Sequence, residues 1–472
     1  MDNRYKRLFN NSIWTLIGNS GSKLLGFILL PLYTRWLGTN GFGESDLVTT
    51  YATVLTCIMT LSLSESIFVF TKNKKIDEIK VVYSTSLNFV LAILGIWLFL
   101  WIGLDFIFAI FDIHNSFSNN LWYIYILVVV SFLQQYSQQF ILGIEKIRIY
   151  AFTGIVNTIM TFIFSYLLIP TMGVRGYIIG MICSSLTTAL YSVFFTRSYQ
   201  YLLLWKIDKI KLVEILKYSI PLIPNGIMWW LISAINRPMM EYYLDYSTIG
   251  IYAVANRFPG VITMIFSVFS VAWNISVFEE YGKPNFKEFY KKTFKMIFFV
   301  LTIASCGIIM LSYVIIKLFT APEFIDAWKY MNILIIGAFF YCLSSFCGAT
   351  FGVVKKSQYF FYSSIYGALS SVIFNLLLIP NYGLWGAAIS VLLSYIVMSI
   401  ARYIYSLKFI RISLIPCIIE YSIVLLSICA ISYIVQSFAV RLLASSVCMI
   451  LFVWLERRNL KSAFSLIITR IK

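Results

Sequence analysis

The segment Leu168-Ile169-Pro170-Thr171-Met172-Gly173-Val174-Arg175-Gly176 returns 210 residues later as Leu378-Ile379-Pro380-Asn381-Tyr382-Gly383-Leu384-Trp385-Gly386. Lys146 and Lys356 keep the same offset. Each copy punctuates a pair of apolar runs, at roughly 150–170 and 174–196 in the first case and 358–380 and 384–406 in the second. A run of about 20 residues is what a helix needs to cross a hydrocarbon core of about 30 Å, whereas barrel strands would be half as long and would alternate polar with apolar. Proline and glycine end helices wherever they fall. That explains their presence but not their matching order, so the chain reads as membrane helices arranged in a pattern stated twice.

Working outward, an offset of 207 aligns Ser12 and Ile13 with Ser219 and Ile220, Pro31 with Pro238, Leu37 with Leu244 and Gly43 with Gly250. Apolar runs predict about fourteen spans: 11–37, 47–70, 83–110, 120–143, 150–170, 174–196, 217–240, 247–274, 295–319, 330–353, 358–380, 384–406, 414–436 and 439–455. The fold class is therefore an all-α polytopic membrane protein. Residues 1–200 and 201–410 form two six-helix bundles, and 411–472 supply two further helices and a basic tail. Six spans per repeat send both halves into the membrane in the same sense, the parallel-repeat arrangement of alternating-access transporters.

The composition agrees: 60% of the 472 residues are hydrophobic and 12% charged, more apolar surface than a soluble fold of this size could bury. The net charge of +17 is not a nucleic-acid signature, because the basic residues lie in short clusters between apolar runs. Arg4, Lys6 and Arg7, then Lys72, Lys74, Lys75 and Lys80, then Lys146 and Arg148 mark one side of the membrane. So do Arg197, Lys206, Lys209, Lys211 and Lys217, the group from Lys283 to Lys295, Lys355 and Lys356, and Arg402, Lys408 and Arg411 at and after the end of the twelfth span. The opposite loops hold Arg35, Arg175, Arg237, Lys317, Lys329 and Arg441. This asymmetry places both termini in the cytoplasm, and the loops around 197–217 and 276–295 on the anionic inner leaflet. The first run is too long for a signal-peptide core and reads as a span.

No GxxxxGK[ST] phosphate loop is present, and no loop is long enough for a catalytic domain. The eight cysteines lie in apolar runs without CxxC spacing, and His114 is the single histidine, so neither a metal site nor a cofactor is expected.

Several segments carry a family resemblance. Pro31-Leu-Tyr-Thr-Arg-Trp-Leu-Gly38 followed by Gly41-Phe42-Gly43, Leu63-Ser-Glu65-Ser-Ile-Phe68, Gly250-Ile-Tyr252-Ala-Val-Ala255-Asn-Arg257 and the two LIPxxGxxG segments are similar to those of Wzx-type polysaccharide flippases of the MOP exporter superfamily. The likeness covers most of residues 10–406. It implies twelve core helices with two more, no enzymatic chemistry, and export of undecaprenyl-pyrophosphate-linked repeat units across a bacterial inner membrane. The substrate and the bilayer lipids are then the partners, with polysaccharide polymerase and chain-length proteins as candidate neighbours.

Ionisable groups inside spans are costly, at about 2.5–3.5 kcal/mol on insertion scales, and normally face a cavity or a partner. Lys23 falls near the middle of the first span and Arg257 about ten residues into the eighth. Together they suit a pyrophosphate through charge-assisted hydrogen bonds, although a snorkelling lysine would look the same. Arg35 and Arg237 sit near span ends, as interfacial anchors do. Asn19, with Ser12, Thr15 and Ser22, shares a helix face with Lys23 that would line a polar path or bond to other helices. Gln135 and Gln138, with Gln134 and Gln139, suit sugar hydroxyls or helix–helix contacts equally. Glu65 would pair with a cavity cation or carry a coupling ion. An organic-cation exporter of the same superfamily would want acidic groups at mid-depth instead, and a membrane polysaccharide polymerase would want a long external loop.

Overall fold

The computed structural model of the protein describes residues 26–457 with their side chains, residues 204 and 436 excepted, and residues 3–25 and 458–471 as backbone alone. Apart from the short 3-10 turns Ser198–Tyr201 and Pro322–Phe324, every regular element described is α-helix. Eight helices are individually long and apolar enough to cross a membrane. Two bent pairs would each make one more: Gly26–Met59 with Leu63–Thr71 (55°), and Lys209–Ser233 with Asn236–Tyr243 (48°). Glycines divide Asn3–Met59, Ile147–Thr196 and Gln358–Leu407 into two segments each. Leu121–Gly143 spans by length, its second half diluted by four glutamines. Among the described residues this makes fourteen crossing segments, the number the apolar runs predict.

The glycine breaks explain the repeat physically. Gly173 (φ 56°, ψ −128°) and Gly383 (φ 54°, ψ −126°) adopt the same backbone conformation, one essentially restricted to glycine. Three residues on, a Cβ on Gly176 would stand 2.2 Å from the carbonyl oxygen of Leu168, and one on Gly386 would stand 2.1 Å from that of Leu378. The first glycine turns the chain and the second lets the two helices meet backbone to backbone. The opposite corners match as well. Glu145 (φ 58°) and Lys355 (φ 55°) are left-handed, and the amides of Lys146 and Lys356 donate back to the carbonyls of Ile141 (3.1 Å) and Phe351 (2.9 Å). Both are Schellman-type helix ends.

The chain folds as two compact units, Met1–Trp230 and Leu231–Lys472. In the first, Asn3–Met59 packs on Ile147–Thr196 and Leu121–Gly143, and Lys209–Ser219 packs on Leu63–Thr71 and Ile76–Ile110. In the second, Ala327–Val353 lies at the centre, against Gln358–Leu407 and Pro259–Glu280. Ile415–Ile434 and Phe438–Ile471 pack on Phe286–Phe319 in that same unit. The guanidinium of Arg441 ties off the short loop between them by donating to the carbonyl of Val435 at 3.1 and 3.2 Å.

Two arginines stand elsewhere than the sequence reading puts them. Arg402, counted among the orienting charges, lies within Gln358–Leu407 and is 0% exposed. Arg237, read as an interfacial anchor, is buried at the bend after Ser233 and donates to its carbonyl at 2.6 Å. A cation there satisfies a helix C-terminus that Pro238 helps to break.

Candidate functional site

Aromatic and hydroxyl residues of three helices in the second unit line an open cavity of about 420 Å³. That lies within the usual range of small-molecule sites, about 300–1,000 Å³. Pro259–Glu280 contributes Thr263, Phe266, Ser267, Ser270, Trp273, Asn274 and Phe278. Ala327–Val353 contributes Tyr341, Ser345, Gly348, Ala349, Phe351 and Gly352, and the start of the next helix adds Ser357 and Phe360.

The wall is rigid where it is aromatic. Trp273 stacks on Phe346 with centroids 4.2 Å apart and planes at 11°, and its indole N–H donates to the Phe346 carbonyl at 3.2 Å. Along the same helix, Thr263, Ser267 and Ser270 each donate their hydroxyl proton three residues back, to the carbonyls of Gly260 (3.0 Å), Met264 (2.8 Å) and Ser267 (2.8 Å). With their protons committed, these oxygens offer lone pairs, while the Asn274 amide can donate and accept. Flat rings beside hydroxyl and amide groups suit a sugar ring, which has apolar C–H faces and a polar edge. No lining residue is acidic.

Behind Gly348 and Phe360 lies Arg402. Its Nε donates to Ser363 Oγ at 3.0 Å and its Nη2 to Ser364 Oγ at 2.9 Å, with the guanidinium 3.9 Å from the Phe360 ring centroid. Gly348 lets the Phe360 ring lie close: a Cβ there would stand 3.1 Å from that ring and 3.7 Å from Arg402 Nη1, so a methyl is admitted by a small shift of the ring.

The residues singled out from sequence fall in several places. The side chains of Lys23 and Asn19, with Ser12, Thr15 and Ser22, lie outside the described residues. Arg257 is exposed in the turn between Tyr246–Ala255 and Pro259–Glu280. Glu65 is exposed in the first turn of Leu63–Thr71, where a carboxylate suits the helix dipole. Gln135 is exposed, and Gln138 donates to Thr153 Oγ1 at 3.2 Å, a helix-to-helix bond. None of these lines the second-unit cavity. Within the first unit, Glu44, Asn119, Asn120, Met172, Val174 and Arg175 border a second cavity of about 620 Å³, where Asn120 donates to Glu44 at 2.7 Å. Among the described residues no group of three or more His, Cys, Asp or Glu is placed to hold a metal.

The sequence model of a family described as polysaccharide biosynthesis protein matches residues 8–274, and that of the MatE family matches residues 221–377. The capsular polysaccharide biosynthesis protein CapF of Staphylococcus aureus is 26% identical over 196 residues, 41% of this chain and half the length of CapF. The uncharacterized membrane protein MJ1375 of Methanocaldococcus jannaschii is 23% identical over 410 residues, 82% of this chain and 95% of that one. The fold is shared with the lipid II flippase MurJ in an inward closed conformation (TM-score 0.71, 16% identity, covering 95% of this chain and 99% of that one). It is also shared with an inward-facing multidrug resistance MATE family transporter of the MOP superfamily (TM-score 0.63, 14% identity, covering 83% and 98%).

Proposed function

The chain belongs to the polysaccharide biosynthesis protein family, and we propose that it is a multi-pass MOP-superfamily transporter of polysaccharide precursors whose cargo is an undecaprenyl-pyrophosphate-linked oligosaccharide repeat unit. In this reading it carries the unit from the cytoplasmic to the outer leaflet of a bacterial plasma membrane by alternating access. The observation that carries the reading is the second-unit cavity, whose rings, hydroxyls and single amide suit a glycan and whose lining holds no carboxylate. The lipid tail stays in the bilayer while the head group crosses. A pyrophosphate needs counter-charge on that route, because an unpaired ion in a low-dielectric medium costs many kcal/mol. Lys23 and Arg257 are proposed to supply it. Both termini are proposed to be cytoplasmic, from the distribution of Lys and Arg, and polymerase and chain-length proteins to receive the product.

Deleting the gene tests this. The expected result is loss of surface polysaccharide and accumulation of a lipid-linked oligosaccharide on the cytoplasmic side. Lys23→Ala and Arg257→Ala should fail to restore export at normal expression. Unchanged polysaccharide in the deletion strain would overturn the reading.

The MatE match over residues 221–377 favours a second reading, an exporter of organic cations. It would show as dye sensitivity in the deletion strain with polysaccharide intact. An acid-free cavity backed by an arginine is a poor cation site.

A further inference from the structure

We infer that the second-unit cavity selects an acidic sugar, one bearing a carboxylate or phosphate, and that Arg402 is the residue that sets this preference. The inference rests on the glycan-flippase reading above and deepens it.

Three helices converge on the guanidinium: Arg402 comes from the helix after Gly383, Ser363 and Ser364 from the one before it, and Gly348 from the centre of the unit. The side chain is wholly buried. Arginine keeps its proton under all physiological conditions, so this is a permanent positive charge within the protein interior. Desolvating it carries a large cost, and an ionisable residue inside a membrane bundle is a functional candidate by default. Serine hydroxyls and a ring hold the group at fixed geometry.

The wall between this charge and the cavity is thin. Gly348 and Phe360 both line the cavity, and Nη1 lies 3.7 Å from where a Gly348 side chain would begin. A ligand atom resting on the Gly348 backbone comes within a few ångströms of the guanidinium. Phe360 adds to the effect: a cation on one face of a ring weakens the negative quadrupole presented by the other. The cavity face therefore discourages cations and accepts anionic oxygen, while the exposed ring of Phe278 and the hydroxyls of Thr263, Ser267 and Ser270 hold the neutral part of the sugar.

A purely structural Arg402, welding its three helices, would leave ligand preference untouched, and the test separates the two roles. The full-length protein is placed in nanodiscs of zwitterionic lipid, and binding of glucose, glucuronate and glucose 1-phosphate is measured by calorimetry. The wild type is expected to bind at least one acidic probe roughly ten- to a hundred-fold more tightly than glucose, the ratio expected for a fixed charge several ångströms away at an effective dielectric constant of about 20. The two acidic probes show which anion is preferred. Arg402→Gln should bring that ratio to about one with glucose affinity retained, and Arg402→Lys should keep part of it. Gly348→Ala, which thickens the wall with the arginine in place, should lower the ratio without removing the fold. A wild-type ratio near one, or a ratio unchanged in Arg402→Gln, overturns the inference. The wild-type measurement decides even if Arg402→Gln misfolds. Wild-type protein that exports a neutral glycan with a ratio near one overturns this inference alone, whereas intact polysaccharide in the deletion strain overturns the reading beneath it.

Discussion

Residues 121–196 and 331–406 are two versions of one structure, and they differ where it matters. The corners at Glu145 and Lys355 and the glycine breaks at Gly173 and Gly383 agree position by position at an offset of 210. Their interiors do not. Gln138 donates to Thr153 in the first copy. The same positions in the second are Gly348 and Ser363, where the missing side chain leaves room for Phe360 and Arg402, and Ser363 accepts from the arginine. Ser192, which the offset sets opposite Arg402, donates to the carbonyl of Thr188 within its own helix. One half closes the space with an amide; the other opens a cavity and sets a charge behind it. Backbone turns are held by glycine and proline, which few substitutions can replace. Side chains between helices are free to diverge, and that is where the halves acquire separate tasks.

The largest effect expected is also the one that tests whether the scaffold is shared. Gly176→Ala and Gly386→Ala should each destabilise by more than about 3 kcal/mol, because backbone would have to move to admit a methyl. Gly95→Ala and Gly307→Ala, with nothing within 4 Å, should not. Thermal unfolding of the purified variants measures this, and tolerance in one copy only would break the equivalence. Next come the turning glycines. Alanine at Gly38, Gly173 or Gly383 forces a conformation that costs about 1–3 kcal/mol, with similar values expected at 173 and 383.

How much of this was legible follows from the same comparison. The spans and the LIPxxGxxG corners could be read because length, proline and glycine have few alternative meanings. Arg402 was missed because a cation near the end of a span looks like an orienting charge until burial shows otherwise. The cavity was missed because Trp273, Phe360 and Ser345 each look like packing on their own. One signal was available: Gln135 and Gln138 were noticed, and adding 210 to each leads to Ser345 and Gly348, both in the cavity wall.

A smaller effect sharpens the interior contrast. Gln138→Ala should cost about 0.5–1.5 kcal/mol in thermal stability, the value of one intramolecular hydrogen bond, with transport unchanged. A transport defect without loss of stability would show instead that the first copy handles substrate too.

The smallest effect concerns the corner between Asn236–Tyr243 and Tyr246–Ala255, which the 207 offset sets opposite Gly38. There the first half uses a glycine at φ 64°, while the second uses extended Leu244 followed by Asp245. The Asp245 carboxylate accepts from the amide of Thr248 at 2.9 Å and caps the helix. The hydrogen bonds from Thr248 hold its pKa below the usual carboxylate value. A carboxyl group whose folded pKa is depressed stabilises the fold above its unfolded pKa, about 3.9, and that contribution fades as pH falls towards the folded value. Asp245→Ala should therefore cost about 0.5 kcal/mol at neutral pH, the low end for a cap because the side chain is exposed. The gap between wild type and Asp245→Ala should narrow as pH drops below about 4. Asp245→Asn should stay close to wild type at neutral pH and show no such narrowing, since an amide caps without titrating. Melting curves of the three proteins at neutral and acid pH measure both statements. A gap that stays constant or widens on acidification would mean that this corner is held by backbone geometry, as its counterpart at Gly38 is, rather than by a charge.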